Sequence, residues 1–476
     1  MSSTERGHEY FKAGAVGAGG RTGREDSGVQ EGTTDGQRDE PARQRVAGVA
    51  RRVAPVTGAA ASARRQVRLW SERHRDRIAE AIGTLVRVPT VAPDEPLAAG
   101  LLTGYLQGAR FTVRSEPPHS GLLGHPDHTP SALPEPAPAR PNLRAALPRV
   151  PGLPTVLFSA HTDVLPAQRH PEPWSGRFDG VRVHGRGSAD TKGNIVMLVE
   201  AVRCLHELGL PMRANVELDL VSDEQAGGNG ALSTLLHGVH AQEVVVLKPT
   251  GLTVHHGHPG CLGFEVEAQA AADGQAHRVD AVDACLAALD RLRALERRWL
   301  EQAAGCPGFE RAARPLELDV SALAADASHW STPDRCGFRA TLGFLPDRTR
   351  AEAAAEIERT VLTGADAERL RLSWRGIRHD AYLGASDGPA AEQLRAAVRW
   401  AGGAPGNAAA WQASCDARLY HRWSPAETLV FGCGDQRDAH SDHESIDVGQ
   451  VLDGLATLVG HLSGAAQLSR SSRAGT

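Results

Sequence analysis

Between Thr155 and Pro249 the chain alternates short apolar runs with amphipathic ones: TVLFSAH, NIVMLVEAVRCLHEL, VELDLVSDE, NGALSTLLHGV and EVVVLKP. The short Val- and Leu-rich runs read as strands buried on both faces. The runs with apolar residues three and four apart read as helices. Together they predict βαβ units and an α/β layer with a mostly parallel sheet flanked by helices. In such sheets functional groups gather beyond the carboxyl ends of the strands. The residues there are His161 and Asp163, Glu224 and Gln225, and Lys248, while the Gly-rich turn GRGSADTKG adds Asp190. An imidazole and carboxylates converging from separate strands assemble a metal centre; a glutamine and a lysine among them weaken it.

From about Cys261 the order becomes strand, helix, strand, strand, helix, strand, which predicts an inserted ferredoxin-like α+β unit. The runs are LGFEVEA, DAVDACLAALDRLRALERRWLEQA, PLELDVSAL, CGFRATLGFL, TRAEAAAEIERTV and RLRLSW. A helix, the strand TLVFG and the amphipathic VGQVLDGLATLVGHL then return to the first layer. The expected division is a catalytic α/β domain over 64–259 and 377–465, a lid and dimerisation domain over 260–376, and a tail over 466–476. Residues 1–63 are polar and Gly-rich, cannot bury enough apolar surface to offset the entropy of ordering, and are expected to be a disordered extension. An amphipathic helix from about Gln66 opens the folded part, and a Pro-rich connection, PEPPHSG through HTPSALPEPAPARP, is expected to run over the surface.

A net charge of -5 without a concentrated basic face argues against nucleic acid as a partner. No run approaches the roughly 20 apolar residues of a membrane span, and MSSTERGHEY lacks the apolar core of a secretory leader, so no membrane partner and a cytoplasmic location are expected. The seven Cys are scattered and never form C-x-x-C, which argues against a disulfide framework or a thiolate zinc site and reads as buried small hydrophobes.

The order HTDV, W-x-x-x-F, GRGSADTKG, SDEQAGGNGAL, KPTGL, TPDRCGFRATLGFLP, CDARLY and FGCGDQRDAHSDHE, from about Gln66 to Leu462, resembles the acetylornithine deacetylase, succinyl-diaminopimelate desuccinylase and aminoacylase family of two-zinc amidohydrolases. The resemblance implies a zinc-peptidase-like fold. It implies that His161 holds the first metal, Asp190 bridges both, and His440 completes the second. It implies that Asp163 orients the His161 ring, that Glu224 is the general base acting on metal-bound water, and that Arg418, following Asp416, holds a substrate carboxylate. Two ligand positions depart from the family pattern: Gln225 stands for a glutamate of the second metal, and Lys248 for the last carboxylate of the first. The lid residue that should reach the site falls at Asp273 or His277, and Asp319, Ser321, Ala325 and Asp326 replace an Asn and three Gly. A homodimer through the lid domain is also implied.

Two divalent cations and a hydroxide set against Asp190 and a lysine ammonium leave a large positive excess, costly to bury, so two zinc ions are not expected. Three arrangements stay open: one zinc on Asp190 and His440, with His161, Gln225 or water; no metal, with the Lys248 ammonium in the first metal's place; or a carbamylated Lys248 acting as a carboxylate. The first predicts a divergent amidohydrolase, a deacylase or peptidase acting on a small carboxylate-bearing N-acyl amino acid or dipeptide-like amide. The alternative is a metal-free relative that binds a ligand or partner without hydrolysis.

Overall fold

Continuous apolar runs become central strands where both faces are covered, and the computed structural model, which describes residues 58–130, 139–270, 280–310, 312, 314–326, 332–406 and 409–466, forms them at the expected places. Expectations for residues 1–57 and 467–476, and for Asp273 and His277, lie outside the described residues. The strands of the two large sheets are β1 (Thr112–Glu116), β2 (Asn142–Ala146), β3 (Thr155–His161), β4 (Asn215–Val221), β5 (Glu243–Leu247), β6 (Gly260–Gln269), β7 (Leu318–Ala325), β8 (Arg335–Phe344), β9 (Leu370–His379) and β10 (Glu427–Phe431). The helices are α1 (Gly58–Arg73), α2 (Arg75–Val86), α3 (Ala99–Gln107), α4 (Gly193–Glu207), α5 (Asn229–His237), α6 (Ala281–Ala303), α7 (Arg350–Val361), α8 (Pro389–Ala401), α9 (Ala417–Trp423) and α10 (Val448–Ser463).

The main sheet runs β1-β2-β4-β3-β5-β10. Strands β4, β3, β5 and β10 are parallel, and β2 and β1 continue the sheet antiparallel. Side chains alternate between two cores, as the strand period of two requires. Phe158, Val245 and Phe431 enter the core shared with Ile195 and Val199 of α4, Leu394 of α8 and Leu455 of α10. Leu157, Val244 and Val430 enter the one shared with Leu232 of α5 and Tyr420 of α9. Because Ser159 pairs with Val246 and His161 with Val221, two further steps bring His161 level with Lys248 at one end of the sheet.

The second sheet, β7-β8-β6-β9, is wholly antiparallel. Helices α6 and α7 cover it through a core of its own that contains Phe264, Val266, Leu292, Trp299, Phe338 and Ile357. Capping side chains set both helix starts: Asp280 accepts from Val282 N, and Thr349 with Glu352 forms a reciprocal capping box.

Three features depart from expectation. Residues 58–63, assigned to the extension, are helical in α1, where Ala60 is buried and its carbonyl accepts from Trp400 Nε1 at 3.2 Å. The helix expected from Gln66 is broken at His74, whose Nδ1 turns back to the Trp70 carbonyl at 2.8 Å. Strands β1 and β2 were not foreseen. All seven cysteines are free thiols, and all but Cys261 are buried. Among the described residues no helix is long and apolar enough to cross a membrane.

Candidate active site

Asp163 fastens the ends of β3 and β4 together. Its carboxylate accepts from the backbone N–H of Glu224 at 3.2 Å and of Gln225 at 2.9 Å. The His161 ring is oriented mainly by the Asp163 main chain: Nδ1 lies 2.9 Å from that carbonyl and 3.5 Å from the carboxylate. Asp190 sits in the segment Ser188–Lys192 that leads into α4, with a non-helical backbone of its own (φ -121°, ψ 87°). That segment hangs on Glu444, which accepts from the N–H groups of Ala189 and Asp190 at 3.2 Å each and from Arg186 Nη1 at 2.6 Å. Arg186 also donates to the His440 carbonyl at 3.2 Å, so one buried ion pair places both Asp190 and His440.

These supports converge on Lys248, which is 3% exposed. Its Nζ lies 2.8 Å from Asp190 Oδ1, 3.0 Å from Asp190 Oδ2, 3.1 Å from Glu224 Oε1 and 3.0 Å from His161 Nε2. His161 Nε2 is also 3.0 Å from Asp190 Oδ1. On the far side of Asp190, Gln225 Nε2 donates to Oδ2 at 3.2 Å, and His440 Nε2 lies 3.1 Å from Oδ2 and 3.2 Å from the glutamine nitrogen. Lys248 thus donates toward Asp190 and Glu224 on one side, and Gln225 toward Asp190 on the other.

Charge follows the same pattern. Burial would lower the Lys248 ammonium, but Asp190 and Glu224 lift it above the ordinary lysine value. Burial would raise Asp190, but Lys248 and His161 hold it well below the usual carboxylate range. Asp163 is likewise held down, against burial, by the contact with His161 and the two N–H groups it accepts. Burial and Lys248 depress His161, and Asp190, Glu224 and Asp163 together outweigh them, so its imidazole is raised well above normal. The carboxylates of Asp190 and Glu224 thus face the Lys248 ammonium, which supplies a positive charge to the cluster without any added ion.

At the first metal's position implied by the resemblance, a zinc ion does not fit this donor set. It would have to enter between Asp190, Glu224 and His161, where the ammonium stands, and two cations at that spacing in a buried site repel strongly. Among the described residues no group of three or more His, Cys, Asp or Glu side chains could hold a metal. Carbamylation fits no better, since a negatively charged Lys248 would face two carboxylates at 2.8 and 3.1 Å.

Arg418 is buried, and its Nη2 donates to the Gly227 carbonyl at 2.8 Å. Beside it, neither oxygen of buried Asp416 has a hydrogen-bond partner among the described residues. Burial, reinforced by Glu224, raises the Asp416 carboxyl to about 8. Gly228, at φ +81°, permits this arrangement, because a Cβ there would lie 2.3 Å from Asp416 Oδ1. His255 and His258 point at main-chain carbonyls of Ala409, Pro259 and Cys415.

A cavity of about 810 Å³ lies along the segment that follows Lys248, lined by Thr250, His255, Glu310, Trp411, Gln412 and Asp435 among others but by no residue of the cluster itself. No Lys or Arg lines it among the described residues. Trp411 reaches back to the cluster, with Lys248 Nζ 5.9 Å from its ring centre. Sequence reasoning missed Trp411 and the Arg186–Glu444 pair. The first had one signal, a lone aromatic in the small-residue run GNAAAWQASC, and the second had none, because its partners are separated by more than half the chain.

Residues 157–463 match the model of peptidase family M20/M25/M40. A succinyl-diaminopimelate desuccinylase from Gluconobacter oxydans is 27% identical over 394 residues, 78% of this chain and 92% of that one. A second, from Gluconacetobacter diazotrophicus, is 34% identical over 177 residues, so the match spans 35% of this chain and only 41% of that relative. The structure of human carnosine dipeptidase 1 superposes with a TM-score of 0.64 at 16% identity, over 85% of this chain and 100% of that one, which is a likeness of fold.

Proposed function

The chain belongs to peptidase family M20/M25/M40, and from that premise we propose that it is a metal-free member in which the Lys248 ammonium stands where the first metal would be and the adjoining cleft binds a small ligand. One observation carries this reading: Lys248 Nζ within 2.8 to 3.1 Å of Asp190, Glu224 and His161. The ligand class it supports is a small amide- or amine-bearing molecule, since the cavity offers the Glu310 carboxylate, a tryptophan face and an imidazole that burial pulls down to about 4 and so keeps neutral. Calorimetric titration with small amines, N-acyl amino acids and dipeptides, in chelator, tests it. Saturable binding without turnover supports the reading, and turnover that needs added zinc contradicts it.

The proximity of Glu224 to Lys248 favours a second reading, amide hydrolysis without metal. Lys248 polarises the carbonyl oxygen, Glu224 takes a proton from water as that water bonds to carbon, and the C–N bond breaks as the proton passes to the amine. Chelator-resistant hydrolysis lost in Glu224→Gln would establish it. In this proposal the segments 64–259 and 377–465 carry the site and 260–376 form the lid. A homodimer through the lid is supported by the exposed Val320 and Leu323 on edge strand β7.

A further inference from the structure

The opposite end of the main sheet carries a second cavity, of about 520 Å³. It opens at the starts of β3, β5 and β10 and is lined by Thr155, Arg213, Gln242, Glu243, Glu427 and His461 among others. At about 3.3 Å per residue, the six steps from Thr155 to His161 separate it from the Lys248 cluster by about 20 Å.

Of the acceptors on this wall, those of Glu427 and Gln242 are engaged, while Glu243 Oε1 is opposite the His461 imidazole without a hydrogen bond among the described residues. Glu427 accepts from Ala390 N and Ala391 N, both at 2.9 Å, at the start of α8. Glu243 Oε1 faces His461 Nε2 at 2.9 Å, and Gln242 Oε1 accepts from Thr155 N at 2.7 Å. The donors remain. His461 Nδ1, on a side chain 3% exposed, has no hydrogen-bond partner among the described residues. Arg213 is exposed, its side chain lies along Gly464, where a Cβ would come within 2.3 Å of its Cδ, and its guanidinium makes no ion pair or hydrogen bond among the described residues. Burial lowers the His461 imidazole, but Glu243 outweighs this and raises it, which favours a proton on both ring nitrogens.

We propose that this cavity is a binding site for a small oxyanion, phosphate or carboxylate, held by His461 Nδ1–H and the Arg213 guanidinium. A buried donor without an acceptor costs free energy that such a ligand recovers, and the arginine fork matches the planar edge of either anion. The site stands independently of what the Lys248 cleft binds.

The test titrates the full-length protein with sodium phosphate and, separately, with sodium malonate, against sodium chloride at matched ionic strength, following melting temperature and heat of binding. A saturable rise in melting temperature with either anion, weakened at least tenfold in Arg213→Gln and in His461→Gln but kept in Arg437→Gln, supports the site. Phosphate alone or malonate alone then identifies which anion class it takes. No saturable response to either, or an unchanged response in a folded Arg213→Gln, overturns it. Should His461→Gln fail to fold, Arg213→Gln and Arg213→Lys, which keeps charge without the fork, decide the matter.

Discussion

Lys248 does with one proton-bearing nitrogen what the family pattern asks of a metal: it gathers Asp190, Glu224 and His161 around a positive charge. Lys248→Met should therefore leave buried carboxylates unpaired and cost about 3 to 5 kcal/mol at neutral pH. The sign of its pH dependence follows from Asp190, which ionises in the native state well below its ordinary 3.8. Its stabilisation is present above 3.8 and is lost as pH falls through the native value, so urea midpoints of wild type and variant should differ fully at pH 7 and converge below about pH 4. Asp416 works in the opposite sense. The unfolded chain releases this proton near 3.8 and the native chain near 8, so native stability falls as pH rises between those values. Asp416→Asn should gain on wild type across that window, by up to about 1.4 kcal/mol per pH unit, and show a constant advantage above it. A flat difference between pH 4 and pH 8 would contradict the raised carboxyl. The identities at strand ends were legible in the sequence, since a strand delivers its last residue to a known edge. A pairing of Lys248 with Asp190 was one of the arrangements open in the sequence, but its contact with Glu224 was not legible, because that depends on the register of β3 against β4 and β5.

At the scale of elements, the Pro-rich connection is more than a surface crossing where it is described. Asp127 accepts from Trp423 Nε1 at 2.7 Å at the end of α9 and from Arg350 Nη2 at 2.8 Å at the start of α7. Arg350 and Arg422 both also pair with Asp380, so the connection, the α9 end and the second-sheet layer share one knot of charge. Two residues on, Thr129 packs on Gly227, and Asn229 holds both the Thr129 carbonyl and Asp223 beside Glu224. Asp127→Ala should cost about 2 to 3 kcal/mol by urea denaturation and speed amide exchange in residues 118–130. Unchanged exchange there would show that the knot does not hold the connection. Composition hid this role, for Pro, Ser and His in a run signal a loop without saying what it touches. β1 was hidden for a related reason: TVRSE is short, polar and mostly exposed, so it lacks the apolar signal that marked β3 and β5. The long strands and helices were legible because burial on one or both faces leaves a period in the sequence.

For the whole molecule, two layers have separate cores, and the family fold persists with Lys248 and Gln225 donating to Asp190. Restoring the two carboxylates should restore the metal if the remaining supports, Asp163 and the Arg186–Glu444 pair, still hold His161, Asp190 and His440 in place. The decisive measurement is zinc content by elemental mass spectrometry, after incubation with excess zinc and removal of unbound ion, for the wild type and for the Gln225→Glu, Lys248→Glu double variant. The account predicts a wild type with substoichiometric zinc and a double variant that retains at least one ion per chain. Stoichiometric zinc on the wild type, lost in Asp190→Asn, would contradict it.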